Sequence, residues 1–126
     1  ITPQRTSSKI LVMVTIGGWT CPHTNQRFAF AMKRNNTLIG LADSADNRVR
    51  ASVATQNFEG GTNGIENGVA FNFLDSPSTT SSVTYRTCVN AEGNGLTVAI
   101  NRSDGDSNNN ETFRVCSTIT AFEIGG

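Results

Sequence analysis

Apolar and polar residues alternate along most of this chain, which is the pattern typical of β-strands. The pattern is clearest over residues 9–16, where every second side chain is aliphatic and points to one side: Ile10, Val12, Val14 and Ile16. Leu11 and Met13 point to the other side, so both faces of this strand are apolar. Such a strand is expected in a sheet that is covered on both sides, by its own subunit or by a neighbour.

Further strands follow at intervals, separated by turn residues such as Gly17-Gly18 and Asn35-Asn36. The predicted strands cover residues 9–16, 27–33, 37–41, 48–55, 69–75, 83–89, 96–100 and 112–124. In the second of these, Phe28, Phe30 and Met32 alternate and are expected to point inward. Apolar residues change face within the last one, which predicts a bulge or bend near Ser117. About eight strands without helical periodicity predict an all-β, antiparallel two-sheet sandwich of jelly-roll type, forming a single domain over residues 1–126.

Composition narrows the class of protein. The 126 residues are 37% apolar and 16% charged, and the ten basic side chains balance ten acidic ones. Without a broad basic field, a nucleic-acid partner is not expected, and no apolar run approaches the roughly 20 residues that span a bilayer. Because the chain begins at Ile1 rather than Met, we expect a processed chain or a fragment of a longer one. No cofactor is expected.

The three cysteines are Cys21, Cys88 and Cys116, which lie far apart and form neither a CxxC pair nor zinc-ribbon spacing. The favoured interpretation is three small buried hydrophobic residues on strands. One disulfide with a spare thiol and metal binding are the alternatives, and the spacing leaves the disulfide state open.

A second apolar surface is expected to drive assembly. A domain of this length folds around one core, so apolar side chains beyond that core would be exposed in a single subunit. We predict that the oligomer interface contains Leu11, Met13, Phe122 and Ile124. A homotrimer meets this need, and a dimer would also meet it.

Candidate chemistry is sparse. His23 is the only histidine and no G-x-S-x-G motif is present, so an enzyme is not expected.

An exposed Trp19 would stack on a sugar or anchor an interface, whereas a buried Trp19 would close the end of the sandwich. Arg48 and Arg50 either form local or intersubunit ion pairs or recognise an acidic sugar or phosphate. The candidate ligand contacts are therefore Trp19, His23, Arg48 and Arg50.

The polar segment from Asp104 to Glu111 is the best candidate for a metal site. Asp104, Asp106 and Asn108 place oxygen ligands at alternate positions, which suits calcium. The match to the calcium loop fails at Asn109, where glycine is required, and at Val115, where the bidentate glutamate should stand. A solvated loop is therefore favoured over a calcium site.

Several strand-sized stretches resemble a structural module of marine bacteriophage tail fibres and other virion proteins. They are Ile1-Thr2-Pro3 with residues 6–14, Ile39-Gly40 with residues 47–52, residues 73–80, Asn101-Arg102-Ser103, and residues 117–120. The resemblance implies a virion structural module at the end of a longer fibre chain, and a trimer.

Two functional classes fit these observations. The first is a virion component on a fibre or particle surface, in contact with other virion proteins and with a host-surface glycan or protein. A purely architectural piece without a ligand is a variant of it. The second class is a carbohydrate-binding, lectin-like module of a cellular organism, with or without calcium.

Overall fold

A computed structural model describes residues 1–57, 64–93 and 95–125. Their regular structure is entirely β and consists of β1 (Lys9–Thr20), β2 (Arg27–Arg34), β3 (Thr37–Ile39), β4 (Val53–Gln56), β5 (Glu66–Asp75), β6 (Tyr85–Ala91), β7 (Ala99–Ile100) and β8 (Thr118–Ile124). The described residues include no helix long and apolar enough to cross a membrane.

The strands form two antiparallel sheets, each built around one long central strand. In the first sheet, β5 pairs with one side of β1, and β8 and β7 follow each other along its other side. In the second sheet, β6 pairs with one side of β2, and β4 and β3 follow each other along the other. The predicted antiparallel two-sheet sandwich of about eight strands is confirmed.

The core lies between the two central strands. The four alternating aliphatic residues of β1, from Ile10 to Ile16, are buried against Phe28, Phe30 and Met32 of β2. Alternation predicted both inward faces correctly, because period two is fixed by the geometry of an extended chain. Burying these side chains supplies the main free energy of folding, about 1.5–3 kcal/mol for each large one.

The first strand does not end at Gly17-Gly18, as predicted, but continues to Thr20. A Cβ atom on Gly17 would lie 2.1 Å from the carbonyl oxygen of Cys116, and one on Gly18 would lie 2.7 Å from Cδ1 of Ile65. Glycine is therefore required here because neighbouring chain comes too close for a side chain. The sequence pattern predicts a turn that ends the strand at these two glycines, whereas they mark a place where neighbouring chain comes close to it.

Four predicted strands are shorter in the structure, and of these β3 ends at Ile39 rather than at residue 41. β4 covers only Val53–Gln56, because the segment before it contains a turn closed by a hydrogen bond from the Arg48 amide to the Ala45 carbonyl. β7 is reduced to two residues. β8 begins at Thr118, directly after the predicted bend, where the hydroxyl of Ser117 accepts a hydrogen bond of 3.1 Å from the Gly17 amide. Its side chains then alternate regularly.

A polar network joins the two sheets at one end of the sandwich. Arg34 at the end of β2 donates from Nη1 to both carboxylate oxygens of Asp75 at the end of β5, each at 3.0 Å. The hydroxyl of Tyr85 donates to the same carboxylate at 2.6 Å. The Asp75 side chain is 6% exposed, so these two donors replace the water that the carboxylate loses on folding.

This network predicts an abnormal alkaline titration of Tyr85. Burial, followed by the hydrogen bond to Asp75, raises the pKa of Tyr85 well above its ordinary value of about 10. Since the unfolded chain loses this proton at lower pH, the stabilisation is intact below about pH 10 and is lost as the pH rises above it. Tyr85 is the only tyrosine, so ultraviolet absorbance of tyrosinate reports on it alone. The folded protein should titrate at higher pH than the same chain in denaturant, and coincident titration curves would contradict the network.

Candidate interaction surface

The side of the first sheet that faces away from the core carries a group of apolar side chains. We call this group the outer apolar face, and it consists of Leu11, Met13, Leu74, Phe122 and Ile124. Met13 is 48% exposed and Phe122 is 53% exposed, and Leu11 is half-buried. The four residues predicted for the interface therefore lie on one surface and are accessible in a single subunit.

Strand pairing makes this face continuous. Leu11 lies opposite Leu74 on one side and opposite Phe122 on the other, so the three side chains form a row across β5, β1 and β8. Ile124 stands one step further along β8, opposite Lys9. Side chains opposite one another on one face are in contact range, so the exposed apolar surface is a contiguous patch. The sequence pattern does not predict Leu74 for this face, because the stronger alternation of Val69, Phe71 and Phe73 on the other face of β5 obscures it.

The sandwich is also open along β8. This strand pairs with β1 and, among the described strands, with no other, so its second edge is unpaired. Ile119 points toward the inside of the sandwich and is nevertheless exposed. It lines a cavity of about 270 Å³ with Ile1, Val83 and Tyr85. Thus β8 has exposed apolar side chains on both faces, and one of its edges is unpaired among the described strands.

Trp19 is fully buried, so the alternative in which an exposed indole stacks on a sugar is wrong. Its ring centre lies 4.6 Å from that of Phe28 and 6.4 Å from that of Phe30. Strict alternation would place Trp19 on the side of Leu11 and Met13. The ring contacts with Phe28 and Phe30 place the side chain against the core instead.

Replacing Trp19 with alanine should therefore destabilise the fold. The loss of a buried aromatic side chain and the cavity it leaves cost about 3–5 kcal/mol in the free energy of unfolding. Urea unfolding followed by circular dichroism measures this cost. Val49→Ala is the control, because Val49 is 65% exposed and should change stability by less than about 0.5 kcal/mol. Equal stabilities of the two variants would contradict the buried position of the indole.

The remaining candidate ligand contacts do not form a shared site. His23 is exposed in the loop after β1, where the side-chain amide of Asn57 donates to its carbonyl oxygen at 2.8 Å. Arg48 is exposed, and Arg50 donates from Nε to the Ala42 carbonyl at 2.7 Å. Within the described ranges, no hydrogen bond or ion pair joins any of these three side chains to another. The local ion pairs considered for Arg48 and Arg50 are likewise missing from the described part of the chain.

The cysteines are free thiols in three different environments. Cys21 is buried, Cys88 is half-buried on β6 and Cys116 is exposed. The favoured interpretation of three buried hydrophobic residues therefore holds for Cys21 alone. The alternative of one disulfide is not observed, since all three cysteines are unbonded in the structure.

The polar segment after β7 holds one of its acidic side chains in an ion pair. The carboxylate of Asp106 accepts two hydrogen bonds from Nη2 of Arg114, at 2.8 and 2.9 Å. The backbone carbonyl oxygen of Asp104 accepts a hydrogen bond of 3.0 Å from Nη1 of Arg102. A guanidinium against the carboxylate repels a cation, and no cluster of three or more acidic, histidine or cysteine side chains occurs in the described residues. Asn108 is exposed and brings no further charge.

Calcium is accordingly expected to leave the thermal midpoint of unfolding unchanged. The reason is that binding would require the Asp106–Arg114 ion pair to open, and only a ligand that prefers the folded state raises the midpoint. Differential scanning calorimetry in calcium chloride and in chelator makes the comparison. A midpoint that rises with calcium and falls again with chelator would overturn this assignment.

No family model, no curated protein and no solved structure matched the chain.

Proposed function

We propose that this protein is a non-enzymatic structural module of a bacteriophage virion, on a fibre or on the particle surface, and that it assembles as a homotrimer through the outer apolar face. In this role it contacts other virion proteins and presents its remaining surface to the host. The single observation that carries the proposal of assembly is the contiguous apolar surface formed by Leu11, Met13, Leu74, Phe122 and Ile124.

The physical argument is the cost of leaving that surface in water. Apolar area removed from water contributes roughly 25 cal/mol per Å², so covering several half-exposed large side chains on each subunit favours association. The patch lies on a sheet rather than on scattered loops, which suits a rigid, repeated contact between identical subunits. Lys9 and the threonines of β1 and β8 border it and supply a polar rim.

The uncovered strand β8 supports the same proposal. Exposed edge strands are commonly protected by lysine or proline, which discourage pairing with another chain. β8 has the sequence Thr-Ile-Thr-Ala-Phe-Glu-Ile and contains neither residue. Its one charged side chain, Glu123, accepts a hydrogen bond of 2.7 Å from the Gln4 amide. A neighbouring subunit on this side would cover Ile119 together with Phe122.

The assignment to a virion rests on the sequence resemblance to phage fibre modules, and the threefold symmetry rests on it as well. The proposal of a non-enzymatic role rests on the isolation of His23. Its imidazole is exposed and has no hydrogen-bond partner among the described residues, whereas a catalytic base is normally held by an orienting group.

Charging the outer apolar face tests the assembly. Met13→Lys combined with Phe122→Lys is expected to convert the oligomer into single chains, because each interface would have to bury several unpaired charges. Light scattering coupled to size-exclusion chromatography measures the mass, which should fall from three chains to one.

Val49→Lys is the matched control, since it adds a lysine at an exposed apolar residue outside this face. It should leave the mass at three chains. A wild-type protein that elutes as a single chain at high concentration would refute assembly through this face. A stable dimer would refute the threefold arrangement only.

A further inference from the structure

The side of the second sheet that faces away from the core carries two positive charges side by side. Lys33 on β2 and Arg86 on β6 are direct cross-strand partners. Both point outward, since Met32 next to Lys33 is buried in the core. Like charges directly opposite each other destabilise a sheet unless an opposite charge lies nearby.

No carboxylate of the described residues neutralises this pair. The ion pairs found there are Arg27–Glu92, Arg34–Asp75 and Arg114–Asp106. Neither Lys33 nor Arg86 belongs to one of them. The chain as a whole has no net charge, so this pair is a local excess of positive charge.

The guanidinium of Arg86 is held in place by the turn between β2 and β3. Its Nη2 donates to the Asn35 carbonyl at 2.6 Å and to Oδ1 of Asn36 at 2.9 Å. The turn is itself anchored, because Asn35 exchanges two hydrogen bonds with the backbone of Thr84, at 2.7 and 3.0 Å. Nε and Nη1 of Arg86 have no partner among the described residues. A fixed guanidinium with unused donors beside an ammonium group is suited to bind an oxyanion.

A shallow cavity of about 320 Å³ lies on the same outer face. Ala29 and Ala54 line it together with the more polar Asn90 and Glu92. Ala29 is four residues from Lys33 along β2, a separation of about 13 Å at the rise of a strand. A ligand with its charge at Lys33 and Arg86 can therefore extend along the face to this cavity.

We propose that Lys33 and Arg86 bind a carboxylate or sulfate group of an acidic polysaccharide, whose neighbouring sugars lie along the outer face of the second sheet. The site takes one anionic group, because two cations on a neutral protein do not provide the extended field that a nucleic acid requires. The assignment to a surface polysaccharide rests on the proposed role in host contact, whereas anion binding itself follows from the residues alone.

Calorimetric titration with oligogalacturonate and with dextran sulfate tests the site. At least one of these acidic sugars should bind, and neutral dextran should not. Arg86→Gln and Lys33→Gln should each weaken binding by about tenfold or more, because each removes a charge-assisted hydrogen bond. Arg114→Gln is the matched control, since it removes an exposed arginine that lies outside the second sheet, and it should bind as tightly as the wild type.

Equal affinity in all three variants would overturn the site. Binding of inorganic phosphate without binding of either acidic sugar would overturn the polysaccharide assignment. Light scattering on the same samples separates this inference from the proposed assembly. Arg86→Gln should keep the mass of the oligomer, and the variant carrying Met13→Lys and Phe122→Lys should still bind the acidic sugar as a single chain.

Discussion

The central strand β1 carries apolar side chains on both faces, and a sandwich of this size can cover only one of them. The inward face packs on β2 and makes the core. The outward face is left with Leu11 and Met13, and strand pairing places Leu74 and Phe122 beside them. The fold and the proposed assembly are therefore linked, because the pattern that fixes the strand in the sheet also leaves an apolar surface exposed.

The two outer faces of the sandwich differ in chemistry, although both are formed by alternating residues on long strands. The first sheet presents large aliphatic and aromatic side chains, which suit a dry contact with another subunit. The second presents alanine and a pair of cations at Lys33 and Arg86 that forms no ion pair within the described residues, which suits a polar ligand. A module with one face for assembly and one for recognition can be built from a single core, since alternation gives each sheet an inner and an outer surface independently.

Side chains that bond to distant backbone fix details that alternation leaves open. Asn57 is fully buried and donates to the carbonyl oxygens of Cys21 and His23, both at 2.8 Å, which shapes the loop after β1. Arg34 and Asp75 join the two sheets across the end of the sandwich. These hydrogen bonds form only in one arrangement of the strands, so they help to specify how the sheets sit on each other.

The sequence by itself determined the all-β class, the approximate number of strands and the inward faces of β1 and β2, because period-two alternation is a local property of an extended chain. It also placed Leu11, Met13, Phe122 and Ile124 on faces away from that core. Only the tertiary structure decided the position of Trp19, which packs against Phe28 and Phe30 although alternation would place it on the outer side. The same holds for Lys33 and Arg86, which become neighbours solely through the pairing of β2 with β6. Strand pairing and register are long-range choices, and no local pattern encodes which distant residue will stand opposite.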